Sequence, residues 1–292
     1  MTAPATSAAF PVRRVRASRA GRVDRPGFLT YGLLSAFILG STYPLWWSFV
    51  VASGSNATRS ETLPLVPGGN FLANASQVLT AIPFWTALLN SVIVSGIITL
   101  SVVSFSTLAG YAFAKLRFRG RDGLMIGVVA TMAIPTQLGI IPLFILMRQL
   151  GWTGSLGAVI VPTLVTAFGV FFMRQYLVDV IPDELIEAAR VDGANQFRTF
   201  LTVAVPAARP AMAILGLFTF MMAWTDFLWP LIVLSPTNPT LQTALAQLQS
   251  GYYVDYSIVL AGAVLSVIPL LVLFLLAGRQ LIAGIMSGAV KG

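Results

Sequence analysis

A chain of 292 residues that is 57% hydrophobic and only 10% charged has too little charge to cover a water-soluble globule, so it belongs in a bilayer. The net charge of +8 does not indicate nucleic acid, because the basic residues collect at the ends of apolar runs, where they fix membrane orientation. The absence of Cys and His excludes disulfides, thiolate or imidazole metal sites and His-assisted nucleophilic catalysis; Lys115 and Lys291 are not followed by Ser or Thr, so no phosphate-binding loop exists. The expected fold is an all-α integral membrane protein with six transmembrane helices.

Residues 1–27 carry Arg13, Arg14, Arg16, Arg19, Arg22 and Arg25 without apolar periodicity, and read as a disordered basic cytoplasmic arm. The membrane domain is expected over 28–283. Its first span runs from Phe28 to about Val51; about 22 helical residues cross a ~30 Å hydrocarbon core. That apolar run exceeds the length of a signal-peptide core, which favours an uncleaved span, and Pro44 is a candidate kink. Pro64, Pro67, Gly68, Gly69 and Asn70 then mark an external loop reaching to about Pro83. The second span covers roughly Leu88 to Ala112 and is anchored on the cytoplasmic side by Lys115, Arg117, Arg119 and Arg121. A third lies between Asp122 and Arg148 and a fourth between Arg148 and Arg174, with a turn over Gly151 to Gly157. Pro135, Pro142 and Pro162 fall inside them, either as irregular helix lining a path or as proline tolerated at packed joints.

Residues 182–206 interrupt this pattern with charge. Pro182 suits a first helical turn, Asp183 and Glu184 sit where the helix dipole favours anions, and Gly193 can end the helix in a left-handed conformation. At helical spacing Leu185, Ile186, Ala189 and Gly193 share one face, and Asp183, Glu187 and Arg190 the other. A second short helix is expected with Asn195 as its cap and Phe197, Phe200, Leu201 and Ala204 on its apolar side, ending at Pro206. An ordinary amphipathic connector between two spans would account for much of this.

The run Glu187-Ala188-Ala189, followed by Gly193 and the Val205-Pro206 end, resembles the EAA loop of permease subunits of bacterial ABC importers. Ala109 to Arg121, Ile134 to Met147 and the Gly-Ala-Val-Lys-Gly ending are similar to the carbohydrate-uptake, maltose-type members of that family. The resemblance covers nearly everything from the first span to the last residue and implies the type I importer permease fold. It also implies that this segment is a coupling helix seated in a cleft of a separate ATPase. Asp183, Glu184, Glu187, Ala188, Ala189, Arg190, Asp192 and Gly193 are its coupling residues on that basis, with Glu187 making a polar contact and Gly193 allowing the turn.

The fifth span is expected from Pro210 to about Leu234. It holds Asp226, the one carboxylate well inside an apolar stretch, which must face protein or water. Trp224-Thr225-Asp226 resembles a family segment in which Asn is usual where Thr225 stands, so Trp224, Thr225 and Asp226 are candidates for a substrate path or gate, or for a structural interhelical hydrogen bond. The polar stretch Ser235 to Asp255 reads as an external loop, solvated or meeting a ligand carrier. The resemblance makes Gln242, Gln247, Gln249, Tyr252 and Tyr253 candidates for contact with a binding protein. The sixth span runs from about Ile258 to Ala277, and 284–292 reads as a cytoplasmic tail.

Six crossings with both termini cytoplasmic leave Arg59 and Arg148 as the only basic residues outside. The resemblance implies a bacterial inner-membrane permease subunit, not itself an enzyme, that moves a sugar or oligosaccharide. Its implied partners are a homologous second permease, two ATPase subunits that bind ATP and Mg, an extracytoplasmic solute-binding protein and membrane lipid. It binds no cofactor, metal or nucleic acid of its own. The alternatives are a non-sugar solute such as a polyol or glycerol phosphate, a gradient-driven transporter, which would need more buried ionisable groups than Asp226 supplies, or a membrane scaffold.

Overall fold

The computed structural model describes residues 27–55, 65–252 and 254–289, with side chains through Leu276. The basic arm, Arg59, Tyr253 and Lys291 lie outside the described residues, within which every regular element is helical. The chain divides into two compact units, residues 1–44 and 45–292.

In the first unit the described segment is the start of helix α1, Phe28–Ala52, and its apolar residues, Phe28, Leu33, Phe37 and Leu39 among them, are exposed. A helix apolar on all sides is suited to lipid and not to water.

The second unit is organised on α3, Phe84–Lys115. At about 1.5 Å per residue its 32 residues exceed the hydrocarbon thickness, so it begins before and ends after the expected span. Helices α7, Ala167–Val180, and α10, Val205–Thr225, pack along it, and α13, Tyr256–Ala289, packs on α10. Small residues let these backbones approach. A Cβ at Gly110 would stand 2.8 Å from both the Met173 Cβ and the Arg174 backbone nitrogen, and one at Gly169 would overlap Ser106 Oγ. A buried cluster of Val102, Tyr111, Met173, Leu177, Ala208 and Leu215 fills the seam.

Several expectations are corrected. The external loop before α3 contains a helix, α2, Phe71–Ala81, sewn to the end of α1 by Asn74, whose Nδ2 donates to Ala52 O and Gly54 O, each at 2.8 Å. Burial of two carbonyls that α1 leaves unpaired is what fixes α2 there. The third span is not one helix. Helix α4, Arg121–Met132, meets the arm Thr136–Gln149, which contains α5, Ile140–Gln149, at 89°. Pro135 disfavours helical backbone at Ile134 and breaks the run, whereas Pro142 sits in the first turn of α5, where its missing N–H costs nothing. The fourth span begins with α6, Gly157–Ile160, and runs on through α7 past Arg174 to Val180. Helix α13 continues to Ala289, through most of the expected tail. Among the described residues, five stretches are long and apolar enough to cross a membrane, and the bent pair supplies a sixth if it counts as one crossing.

Candidate functional site

The charged segment forms helix α8, Asp183–Val191. Pro182 occupies the position before the first turn with extended backbone. The end is a Schellman motif: Gly193, at φ 78°, donates its N–H to Arg190 O at 3.0 Å, and Ala194 donates to Ala189 O at 2.9 Å. Asn195 then opens α9, Gln196–Thr199, its Oδ1 accepting from the Arg198 N–H at 2.8 Å.

The segment does not stop at Pro206. One wide π turn over Phe200–Ala204, closed by Val205 N–H donating five residues back to Phe200 O, leads directly into α10. The wider turn admits the proline ring that an α-helical ladder would reject. The bracket is therefore rigidly continuous with the fifth span, a 30-residue helical run from Gln196 to Thr225.

Only Ile186 of α8 is buried, at 4%, against the Leu177 and Ile181 end of α7. Leu185, expected on the inward face, is 51% exposed, and Val191 and Phe197 are 88% and 64% exposed. A nine-residue helix resting on one side chain has no second layer to bury them. Asp183, Glu184, Glu187, Ala188, Arg190, Asp192 and Gly193 are exposed, and Ala189 is half-buried. The surface thus alternates carboxylates with bare apolar residues, a composition that fits a protein partner better than water.

Lys115 and Tyr111 tie this bracket to the end of α3. Lys115 Nζ donates to Asp183 Oδ1 at 2.7 Å, the lysine side chain being 6% exposed. Tyr111, one turn before Lys115 on the helix, packs its ring at a tilt against Phe200, centroids 5.5 Å apart, and donates its hydroxyl to Gln196 Oε1 at 3.4 Å. The Lys115 hydrogen bond and charge hold the Asp183 carboxyl below its ordinary value. A depressed carboxylate contributes its link at all pH above the unfolded value and loses it only as pH falls through the folded one. The pair is therefore intact at neutral pH and insensitive to mild acid. Lys115→Glu and Asp183→Lys are each expected to speed amide exchange across Asp183–Val191, and the combined exchange to restore it, as checked by hydrogen–deuterium exchange.

The second candidate group is dispersed. Trp224 is 1% exposed, stacks on Phe220 and donates Nε1 to Ser266 O at 3.3 Å, so it fills the joint between α10 and α13. Thr225 Oγ1 bonds back to Met221 O at 2.8 Å. The helix ends at Thr225, well short of the expected end near Leu234: the span breaks at Asp226, whose half-buried carboxylate lies beside the backbone N–H groups of Phe227 and Trp229 at the start of α11, Leu228–Val233.

The loop after α11 is ordered rather than open. It folds into α12, Leu241–Gln247, with Leu241, Thr243 and Ala244 buried. Gln247 Nε2 reaches Pro236 O at 3.3 Å, Gln242 is half-buried, and Gln249 and Tyr252 are exposed. The residues holding it were missed in the sequence. Asn90 Nδ2 donates to Asn238 Oδ1 at 2.8 Å and Pro239 O at 2.9 Å, and Ser91 Oγ accepts the Leu241 N–H at 2.7 Å. An Asn-Ser pair within an apolar span was the available signal. Asn90→Leu is expected to release the loop, read as increased proteolysis between Ser235 and Asp255, at a cost of about 1–3 kcal/mol for the unpaired groups left behind.

Residues 103–281 match the family described as binding-protein-dependent transport system inner membrane component. Over 210 residues the chain is 38% identical to the arabinooligosaccharides transport system permease protein AraQ of Halalkalibacterium halodurans, covering 72% of this chain and 75% of that one. It is 32% identical over 272 residues to the lactose transport system permease protein LacG of Rhizobium radiobacter, covering 91% and 97%. It is 29% identical over 279 residues to the sn-glycerol-3-phosphate transport system permease protein UgpE of Shigella dysenteriae serotype 1, covering 90% and 98%. A crystal structure of a bacterial ABC transporter involved in the import of the acidic polysaccharide alginate superposes with a TM-score of 0.73 at 26% identity, covering 86% of this chain and 94% of that chain.

Proposed function

The chain belongs to the family of binding-protein-dependent transport system inner membrane components, and from that premise we propose that it is the permease through which an ATP-driven importer brings a sugar or oligosaccharide into the cytoplasm. A solute-binding protein delivers the substrate on the outer side, and a homologous second permease completes the path. Two ATPase subunits, which bind the ATP and Mg, dock below, and one of them seats α8 in its cleft. Both termini and α8 face the cytoplasm in this arrangement, because ATP is available only there.

The observation that carries this reading is the exposed α8 surface on a rigid lever. Glu187 stands on it with no ion pair among the described residues, next to exposed Leu185 and Val191. Movement of α8 with an ATPase cleft passes through the π turn into α10, and through Lys115 into α3, so nucleotide binding in the partner biases the two arrangements of the spans. The alternative substrate, a glycerol phosphate, is favoured only by the similarity to UgpE.

The test is uptake into proteoliposomes holding the permease pair and ATPase, with binding protein and labelled arabino-oligosaccharide, lactose or glycerol 3-phosphate. Uptake of a sugar that needs enclosed ATP and survives an ionophore is expected. Uptake driven by an ion gradient without ATPase would overturn the mechanism, and preference for glycerol 3-phosphate would select the second substrate.

A further inference from the structure

Beside the end of α3 that carries Lys115, a groove of about 470 Å³ opens between α3, α4 and α7. Its walls are apolar over Met125, Ile126, Val129 and Phe171, and two arginines, Arg121 and Arg174, line it as well. An adjoining hollow shares Arg121 and adds Arg117. The groove is therefore amphipathic: greasy walls beside concentrated positive charge.

The arginines are incompletely paired. Arg174 donates through Nη1 to its neighbour Gln175 Oε1 at 3.0 Å, but its Nε is buried and has no acceptor among the described residues. Arg121 uses Nε for Asp122 Oδ1 at 3.1 Å, and that carboxylate is the one acid lining the groove. A guanidinium presents five donors, so both retain capacity for an acceptor that the protein does not supply. A buried donor near hydrocarbon is costly unless something accepts from it. Lys115 is committed to Asp183, while Arg117 and Arg119 are exposed close by in the sequence and raise the positive excess.

We propose that this groove is a binding site for an anionic phospholipid, its phosphate held by Arg121 and Arg174 and an acyl chain lying along Ile126, Val129 and Phe171. A phosphate accepts bidentate hydrogen bonds in the geometry a guanidinium offers, and basic pockets between membrane helices are recognised sites for acidic headgroups. The site lies next to the Tyr111–Lys115 anchor of α8, so a bound lipid stiffens the α3 and α7 ends against which α8 rests.

The inference relies on the membrane reading of the family but not on the substrate. Its test uses the assembled importer in nanodiscs of mixed phosphatidylglycerol and phosphatidylcholine, followed by native mass spectrometry of retained lipid. The wild type is expected to retain phosphatidylglycerol selectively. Arg121→Gln with Arg174→Gln should lower that preference by about 30-fold, at about 1 kcal/mol for each arginine. Ile126→Trp, which fills the groove and leaves the arginines in place, should lower occupancy comparably and decides the matter if the double variant fails to assemble. Arg148→Gln, outside the groove, should change nothing. Equal retention of both lipids by the wild type, or undiminished preference in the groove variants, would overturn the proposal. So would crosslinking of Ile126→Cys to the second permease, which would make the groove a subunit interface. Copurification with the ATPase and ATP-dependent uptake, measured on the same samples, report separately on the importer reading.

Discussion

Gly110→Leu is expected to abolish accumulation of the assembled protein in the membrane. At Gly110 the backbone of α3 lies so close to α7 that even a Cβ would meet the Met173 Cβ, Met173 carbonyl carbon and Arg174 nitrogen at 2.8–2.9 Å. Two of those three atoms are backbone, which cannot swing aside as a side-chain tip can, so α3 and α7 must separate. Overpacking costs about 1–3 kcal/mol where a core yields, and here it forces apart the seam that also carries Tyr111, Met173 and Leu177. Fluorescence-detected size exclusion of solubilised membranes provides the measurement. Gly216→Ala is the control: its added methyl would lie 3.5 Å from Val103 Cγ2 and 3.7 Å from Thr99 Cγ2, ordinary contact distances, and should assemble normally.

Gly193→Asp is expected to leave the spans folded and to lower binding-protein-stimulated ATP hydrolysis and uptake by at least about tenfold. Gly193 has open space around it, so the obstacle is conformational: its φ of 78° costs a side-chain-bearing residue about 1–2 kcal/mol. A new carboxylate beside Asp192 also stands at the negative end of the α8 dipole. Both penalties fall on the Schellman turn that sets the angle between α8 and α9, and not on the membrane core. Glu187→Ala removes a charge without bending anything, and is expected to lower the same stimulated activity while α8 keeps its native amide protection. Loss of activity in Gly193→Asp together with wild-type activity in Glu187→Ala would make α8 a structural bracket without a polar contact of its own.

Short-range chemistry was readable in this sequence. The start of α8 at Pro182, its end at Gly193 and the Asn195 cap each depend on one residue and the backbone within three or four positions of it. Tertiary competition was not readable. Leu185 has the spacing of an inward residue, yet Ile186 alone reaches the core, because helical period fixes which residues share a face but not how deeply a nine-residue helix is set. Pro206 signals an end by local rules, and the π turn before it overrides them. Pro135 does break its helix, yet nothing in the sequence specifies an 89° change of direction. Among the candidate path residues, burial separates Trp224, a packing residue, from Thr225 and Asp226, a distinction that aromatic content alone cannot make. The Asn90 and Ser91 contacts to a loop about 150 residues away required the fold itself.

The proposed docking of α8 on an ATPase can be tested directly, because the chain contains no cysteine and any one introduced is unique in it. Ala188→Cys, exposed in the middle of α8, and Leu72→Cys, 81% exposed on α2, would be placed separately in the assembled importer and treated with a short thiol-to-amine crosslinker. The account predicts that Ala188→Cys is captured by the ATPase subunit and shielded from a water-soluble maleimide, while Leu72→Cys is neither. Equal labelling of Ala188→Cys in the assembled importer and in the permease alone, with no ATPase captured, would contradict it.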